Sequence, residues 1–284
     1  SNSLAIAPAR TEDGKAWLLI NSHQPIEGRF AWYEAHIKSD EGWDIIGGLF
    51  PGGTTIFVGS TKKFGWAHTT NYHSFGDIYK LEHNGNKYRY DGEWKTFEVK
   101  KARLHVKLGG VKIGITKRIR VCEYGPVFQS KHGWFALRYP GAMDFRATEQ
   151  WYRMNKAINL TEFQQALKME AIPLFNITYA DADGNIYYES GCQVPLRDST
   201  LNWRTPITAN TSAYKWTSLV PYDRKARLLN PVCGYLFSCN QTQYSVTGKS
   251  CNWTGGFIGI QQFNYNRGER YYEMLEAIKG KYTW

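Results

Sequence analysis

The sequence predicts an α+β fold, and three features predict it. Short runs of alternating apolar and polar residues, punctuated by Gly, Pro, Asn and Asp, fill the chain to about residue 140. Segments with helical spacing appear only after that, and strand runs followed by helices imply α+β layering. Hydrophobic residues make up 42% of the 284 positions, enough for a real core in one large or two small domains.

The elements follow in order. Ser1-Asn2-Ser3-Leu4-Ala5-Ile6 and the apolar run of residues 16–20 flank the turn signal Asp13-Gly14. They read as a hairpin closed by Asn21-Ser22-His23-Gln24-Pro25, with Ser1 at the open end of its first strand. Further strands are expected at 30–37, 43–49, 55–58, 64–70 and 78–81, and hairpins continue through 87–140. Between Lys100 and Arg120, Ala102, Leu104, Val106 and Leu108 alternate with Arg103, His105 and Lys107. Gly109-Gly110 turns the chain, and Val111, Ile113 and Ile115 resume the alternation, as in a half-buried hairpin with a cationic face. A helix is expected over 145–154, and a second begins at the capping box Thr161-Glu162-Phe163-Gln164. Strands at 174–180 and 185–189 flank the turn Asp181-Ala182-Asp183-Gly184. Residues 193–230 read as irregular surface, and 231–240 as a strand ending in Asn. A last helix is expected over 269–279, with Tyr271, Met274, Leu275 and Ile278 on one side.

Composition narrows the function classes. The net charge of +10 comes from scattered basic residues with no recognition motif, so nucleic acid is not an expected partner. No apolar run approaches the roughly 18 residues of a membrane-spanning helix. The five cysteines show no zinc spacing. One disulfide among Cys233, Cys239 and Cys251 and a set of buried thiols both fit. No GxSxG, HExxH, P-loop or GxGxxG motif is present. The five N-x-[ST] sequons, at Asn159, Asn176, Asn210, Asn240 and Asn252, are taken as chance.

A serine at position 1 carries a hydroxyl and a free α-amine on one residue. The unperturbed amine titrates near about 7.7–8.0, so part of it is unprotonated at neutral pH and can take the hydroxyl's proton. Such a pair needs oxyanion donors from elsewhere in the chain.

The surrounding residues resemble a known family. Ser1-Asn2, Arg10-Thr11, Gly14-Lys15, Leu19-Ile20-Asn21-Ser22-His23 and Trp32-Tyr33-Glu34-Ala35-His36 resemble the start of the large chain of the penicillin acylase family, which are N-terminal-nucleophile (Ntn) amidohydrolases. The match continues through Gly47-Gly48-Leu49-Phe50-Pro51-Gly52, Val58-Gly59 and Gly65-Trp66-Ala67-His68-Thr69-Thr70, and later through Tyr179-Ala180-Asp181. Its Trp-x-His-Thr form is most similar to acyl-homoserine-lactone acylases.

The resemblance, not the periodicity, implies a four-layer αββα Ntn-hydrolase sandwich, here partial, with a β-rich hairpin excursion. It implies a large-chain portion over 1–284: a nucleophile-bearing sheet region (1–82), the excursion (83–140), and helices and strands returning to the core (141–284). Family large chains run further, so a fragment of a longer chain is expected. Its partners would be a small chain from the same precursor and the rest of the large chain. Ser1 would be nucleophile and base, exposed by autoproteolysis. Thr70 would give a backbone oxyanion donor and Asn240 a side-chain one. His23 would position the amine and Arg267 would support the site. Gln24 and Val58 would contact the acyl group, and a polar residue at 24 suggests an acyl group other than a plain phenyl ring or long alkane. Relatives often bind calcium after the Thr70 segment; here only Asp77 keeps a matching carboxylate, and no cofactor is expected to be required. The implied activity is hydrolysis of an N-acylated small molecule: an acyl-homoserine lactone, a β-lactam side-chain amide or an acylated peptide, in a periplasmic or secreted setting. The alternative is a non-catalytic, aromatic-rich envelope-binding protein on the same fold, which Gln24 and the missing carboxylates would suit.

Overall fold

The protein is represented by a computed structural model that describes residues 1–283 except 72, 143, 257 and 260–262. The chain divides into two compact units, one formed by residues 1–74, 143–194 and 220–284, the other by 75–142 and 195–219.

The first unit is layered. Strands β1 (Asn2–Ile6) and β2 (Trp17–Asn21) form the expected hairpin, and β1 also pairs antiparallel with the strand Tyr235–Ser238, which makes it the centre of a three-stranded sheet. A seven-stranded sheet faces it. That sheet contains β3 (Tyr33–Ser39), β4 (Trp43–Leu49), β5 (Val58–Thr61), β6 (Phe64–Thr70), and the strands Leu174–Asp181, Ile186–Cys192 and Arg227–Leu229.

Period-2 alternation assigns each residue to a layer. In β1, Ala5 points towards the seven-stranded sheet and meets Ala180, Ile186 and Tyr188, whereas Ile6 points outward. In the strand Tyr235–Ser238, Leu236 faces inward, and Tyr235 and Phe237 face outward onto Leu275 and Tyr271 of helix α3 (Asn266–Ala277). On the far side of the large sheet, Trp66, Ile177 and Tyr179 pack against Phe163, Ala166 and Leu167 of α2 (Leu160–Leu167) and Met154 of α1 (Ala147–Lys156). The order is therefore helix pair, seven-stranded sheet, three-stranded sheet, single helix. The helical layers are thin, so the unit is β-rich and carries only part of the architecture the resemblance implies.

Buried amides hold the irregular segments to the layers. Asn155 accepts from the Ile56 N–H at 2.9 Å and donates to the Ile56 carbonyl at 2.8 Å, as a neighbouring strand would. Gln150 accepts from the N–H groups of Ala171 and Ile172 at 2.7 and 3.0 Å. Because Asn155 occupies the Ile56 peptide, the expected strand at 55–58 starts only at Val58. The capping box also lies two residues earlier than expected. Asn159 caps α2 by accepting from the Glu162 N–H at 2.9 Å, and Glu162 reaches back to the Ile158 N–H at 3.2 Å.

The second unit is a six-stranded sheet with a smaller three-stranded one. Its core is largely tyrosine: Tyr79, Tyr88, Tyr90 and Tyr124 pack with Phe97 and Ile207. It corrects the expected excursion over 83–140. Strand Asp77–Leu81 belongs to it, and so do residues 195–219, because Ile207–Ala209 pairs parallel with Asp77–Leu81. That segment reads as irregular from its Thr, Asn and Pro content, and a three-residue strand has too short a pattern to see.

Phe163 is fully buried, with its ring centroid 5.0 Å from Tyr179 and 5.6 Å from Trp66. Phe163→Ala is expected to cost about 3–5 kcal/mol of stability, read as a lower denaturant midpoint at unchanged slope.

Candidate active site

Ser1 stands where antiparallel pairing puts three chain segments together. β1 is flanked on both sides by strands running the other way, so its first residues lie beside the last residues of both. Asn2 pairs with Asn21, which brings Ser22 and His23 to one side, and Ser3 pairs with Ser238, which brings Asn240 to the other. The end of β6 arrives from the facing sheet: Ser22 Oγ donates to the His68 carbonyl at 2.7 Å, and Asn240 Nδ2 donates to the Thr70 carbonyl at 2.7 Å.

The contacts around Ser1 are polar and specific. Its α-amine donates to Asn240 Oδ1 at 2.9 Å. Its Oγ accepts from the backbone N–H of His23 at 3.3 Å. Arg267, near the start of α3, donates to the same Asn240 Oδ1 at 2.9 Å, to the Ser1 carbonyl at 3.3 Å and to Asn2 Oδ1 at 2.5 Å. Asn240 is buried and left-handed, with φ of 71°, a conformation that asparagine tolerates better than most residues. An amide nitrogen has two hydrogens. Thr70 takes one of those on Asn240, and the other has no protein partner among the described residues.

These contacts bring Ser1, His23, Thr70, Asn240 and Arg267 together, with one change to the expected arrangement. His23 meets the hydroxyl, through its backbone, and the amine is held by Asn240. The exposed His23 imidazole titrates below its ordinary value, through partial desolvation first and then the charges of the amine and Arg267. The Ser1 amine also titrates below its ordinary 8.0. Loss of water is the main cause and the Arg267 guanidinium the second, with Cys239 opposing. Both leading effects disfavour the ammonium, so the amine keeps its lone pair to lower pH.

A cleft of about 330 Å³, counting its open part, lies against Ser1. Gln24, Val58 and Thr70 line it, together with Trp32, Phe50, Phe57, Trp151 and Phe175. The rings brace one another: Trp32 stacks on Phe50 at 4.8 Å, and Phe57 lies against Trp151 at 4.4 Å. His68 forms part of the wall. Its Nε2 accepts from the Trp151 indole N–H at 3.0 Å, so the ring proton sits on Nδ1, 3.4 Å from the Asn176 carbonyl. Burial lowers its pKa to about 4, which makes it a neutral wall residue and not a base.

Sequence reasoning missed most of this wall. Phe50 and Trp32 lie inside segments that carried the resemblance. Trp151 and Phe175 come from a helix and a strand far along the chain, and no local pattern marks them.

Asp77 is corrected. Its carboxylate accepts from Arg197 Nε at 2.9 and 3.1 Å and from the Trp216 indole at 2.7 Å. A guanidinium thus fills the place a cation would take. No group of three or more His, Cys, Asp or Glu suited to a metal occurs among the described residues. The residues present at Asp77 do not fit calcium. Cys233 and Cys251 form a disulfide, while Cys239 is a buried thiol.

Comparison with known proteins gives the family. The penicillin amidase family model matches residues 1–284. The chain belongs to the penicillin amidase family. It is 29% identical over 212 residues to acyl-homoserine lactone acylase PvdQ of Pseudomonas savastanoi pv. phaseolicola, covering 70% of this chain and 27% of that protein. It is 24% identical over 257 residues to penicillin G acylase of Escherichia coli, covering 85% of this chain and 29% of the relative. The fold matches that of the thermostable penicillin G acylase from Alcaligenes faecalis with a TM-score of 0.77 at 24% identity, over 89% of this chain and 47% of that one. The chain therefore spans under a third of the length of these curated relatives.

Arg267→Met removes a cation beside the amine and is expected to raise the amine pKa. Titration of the terminal 15N resonance should show the midpoint at higher pH.

Proposed function

We propose that this chain carries the nucleophile-bearing part of an amidohydrolase that cleaves N-acylated small molecules. The observation that carries the reading is the joint placement of the Ser1 hydroxyl and amine beside Asn240, with an aromatic cleft next to them. Family membership supports the reaction class.

Ser1 Oγ attacks the amide carbonyl carbon as the α-amine takes its proton. The tetrahedral oxyanion is held by the second N–H of Asn240 and the backbone N–H of Thr70. Collapse breaks the C–N bond, and the leaving amine takes the proton from the Ser1 ammonium. Water then attacks the ester carbon and gives a proton to the α-amine; collapse breaks the C–Oγ bond, Ser1 Oγ takes the proton back from the ammonium, and the carboxylic acid leaves. Asn240 Oδ1, fixed by Arg267, orients the amine so that its lone pair faces the hydroxyl. The His23 N–H fixes the hydroxyl itself.

The acyl group would enter between Val58 and the rings of Trp32, Phe50, Phe57, Trp151 and Phe175, with Gln24 offering a hydrogen-bonding amide. Acyl-homoserine lactones, β-lactam side-chain amides and acylated peptides are the candidate substrates. Maturation would be autoproteolytic, with Ser1 cutting on its own N-terminal side, and the working enzyme would include a small chain and the rest of the large chain. A periplasmic or secreted setting suits the Cys233–Cys251 disulfide. No calcium at Asp77 is required.

In the full-length precursor, Ser1→Ala is expected to stop both chain cleavage and amidase activity, whereas normal processing would contradict the nucleophile assignment. Asn240→Ala should lower kcat by about 10²–10³, the usual cost of one oxyanion donor. Screening acyl amides of graded length and polarity would identify the acyl group.

A further inference from the structure

The second unit extends a two-stranded ribbon, Glu98–Leu108 paired with Val111–Cys122. Only Val121 and Cys122 of its second strand pair onward, with Pro126 and Gly125, and residues 103–120 are exposed. The register sorts the side chains onto two faces. Leu104 opposes Ile115, Val106 opposes Ile113 and Leu108 opposes Val111, giving an unbroken aliphatic stripe out to the Gly109-Gly110 turn. The opposite face carries Lys101, Arg103, Lys107, Lys112, Arg118 and Arg120 with no acid. At the tip, Leu108 and Val111 are 66% and 65% exposed, and Lys107 and Lys112 flank them.

Such a ribbon gains little by leaving its stripe in water, because two strands without a covered apolar face are marginal on their own. The composition argues for what covers it. Residues 98–122 contain eight Lys or Arg, one acid (Glu98), and no aromatic residue or methionine. Protein-binding surfaces concentrate aromatics, methionine and arginine and are depleted in lysine, whereas this ribbon has no aromatic residue or methionine and more lysines than arginines. A one-sided apolar stripe with cations on the other face is the arrangement of an element lying in a lipid–water interface, with aliphatic groups at the acyl boundary and cations among anionic headgroups. Lys100 and Lys117 lie on the aliphatic face at its root and end the stripe there, which leaves the outer pairs as the inserted part.

We propose that the ribbon docks the protein on an anionic lipid surface, with the Leu104–Leu108 and Val111–Ile115 segments as the inserted stripe. Lys107 and Lys112 hold its tip to headgroup phosphates. The proposal does not depend on the assigned reaction, since no ribbon residue belongs to the candidate site.

The test is co-sedimentation of the full-length matured protein, with its small chain and the rest of its large chain, with vesicles of equal phosphatidylglycerol and phosphatidylcholine, against vesicles of phosphatidylcholine alone. Binding is expected only to the anionic vesicles and should weaken with added salt. The doubles Leu108→Ser with Val111→Ser, and Lys107→Glu with Lys112→Glu, should each lower the partition coefficient at least tenfold. Both change exposed tip residues, and unchanged thermal unfolding would show that the fold is intact. Failure of the unaltered protein to bind anionic vesicles overturns the proposal and leaves the stripe to a polypeptide partner. Binding that neither double weakens overturns it as well.

Discussion

The site depends on one constraint: β1 is the central strand of a three-stranded antiparallel sheet. An edge strand would place Ser1 beside a single neighbour. A central one places it between two chain ends, so that a backbone N–H from His23 and a side-chain amide from Asn240 meet the same residue. The ladder hydrogen bonds fix the register, and a slip of one residue would turn Ser3 and Ala5 away from the facing sheet.

A buried polar layer between the two sheets adds a second lock. Ser3 Oγ and Thr178 Oγ1 are 2.8 Å apart, and Thr69 Oγ1 and Ser238 Oγ are 2.7 Å apart. Asn176 Nδ2 reaches Thr69 and Ser238 at 3.2 and 3.4 Å, while its Oδ1 accepts from Tyr188 at 3.0 Å. An apolar contact would allow the sheets to slide. These bonds do not, because a displaced partner leaves a buried donor or acceptor unpaired, at a cost of about 1–3 kcal/mol. Thr69 and Ser238 each precede a site residue by one or two positions. Their bond therefore sets how Asn240 meets Thr70.

Much of this arrangement was legible in the sequence. Strand alternation survives in β1, where buried and half-buried positions alternate at its start, and the site residues sit in short linear motifs. Legibility failed where long-range packing decided the outcome. Asn159 and not Thr161 caps α2, since the chain enters the helix earlier than the capping pattern suggests. The segment 195–219 joins the second unit through a three-residue parallel pair. Asp77 accepts from Arg197, a residue 120 positions away that only the fold brings near. The aromatic cleft was hidden for the same reason, since Trp151 and Phe175 reach it from separate elements.

In the proposed mechanism a single terminal residue supplies both the attacking oxygen and the base, in a cradle that partly desolvates the amine and lowers its pKa. The most direct measurement is adduct mapping by mass spectrometry after exposure to a sulfonyl fluoride. The matured protein would be compared with a form carrying one extra residue before Ser1. An adduct on Ser1 is expected in the first, with a rate that rises with pH through a group titrating below 8.0, and none in the second. Equal labelling of Ser1 in both forms, or an adduct elsewhere with Ser1 unmodified, would contradict it.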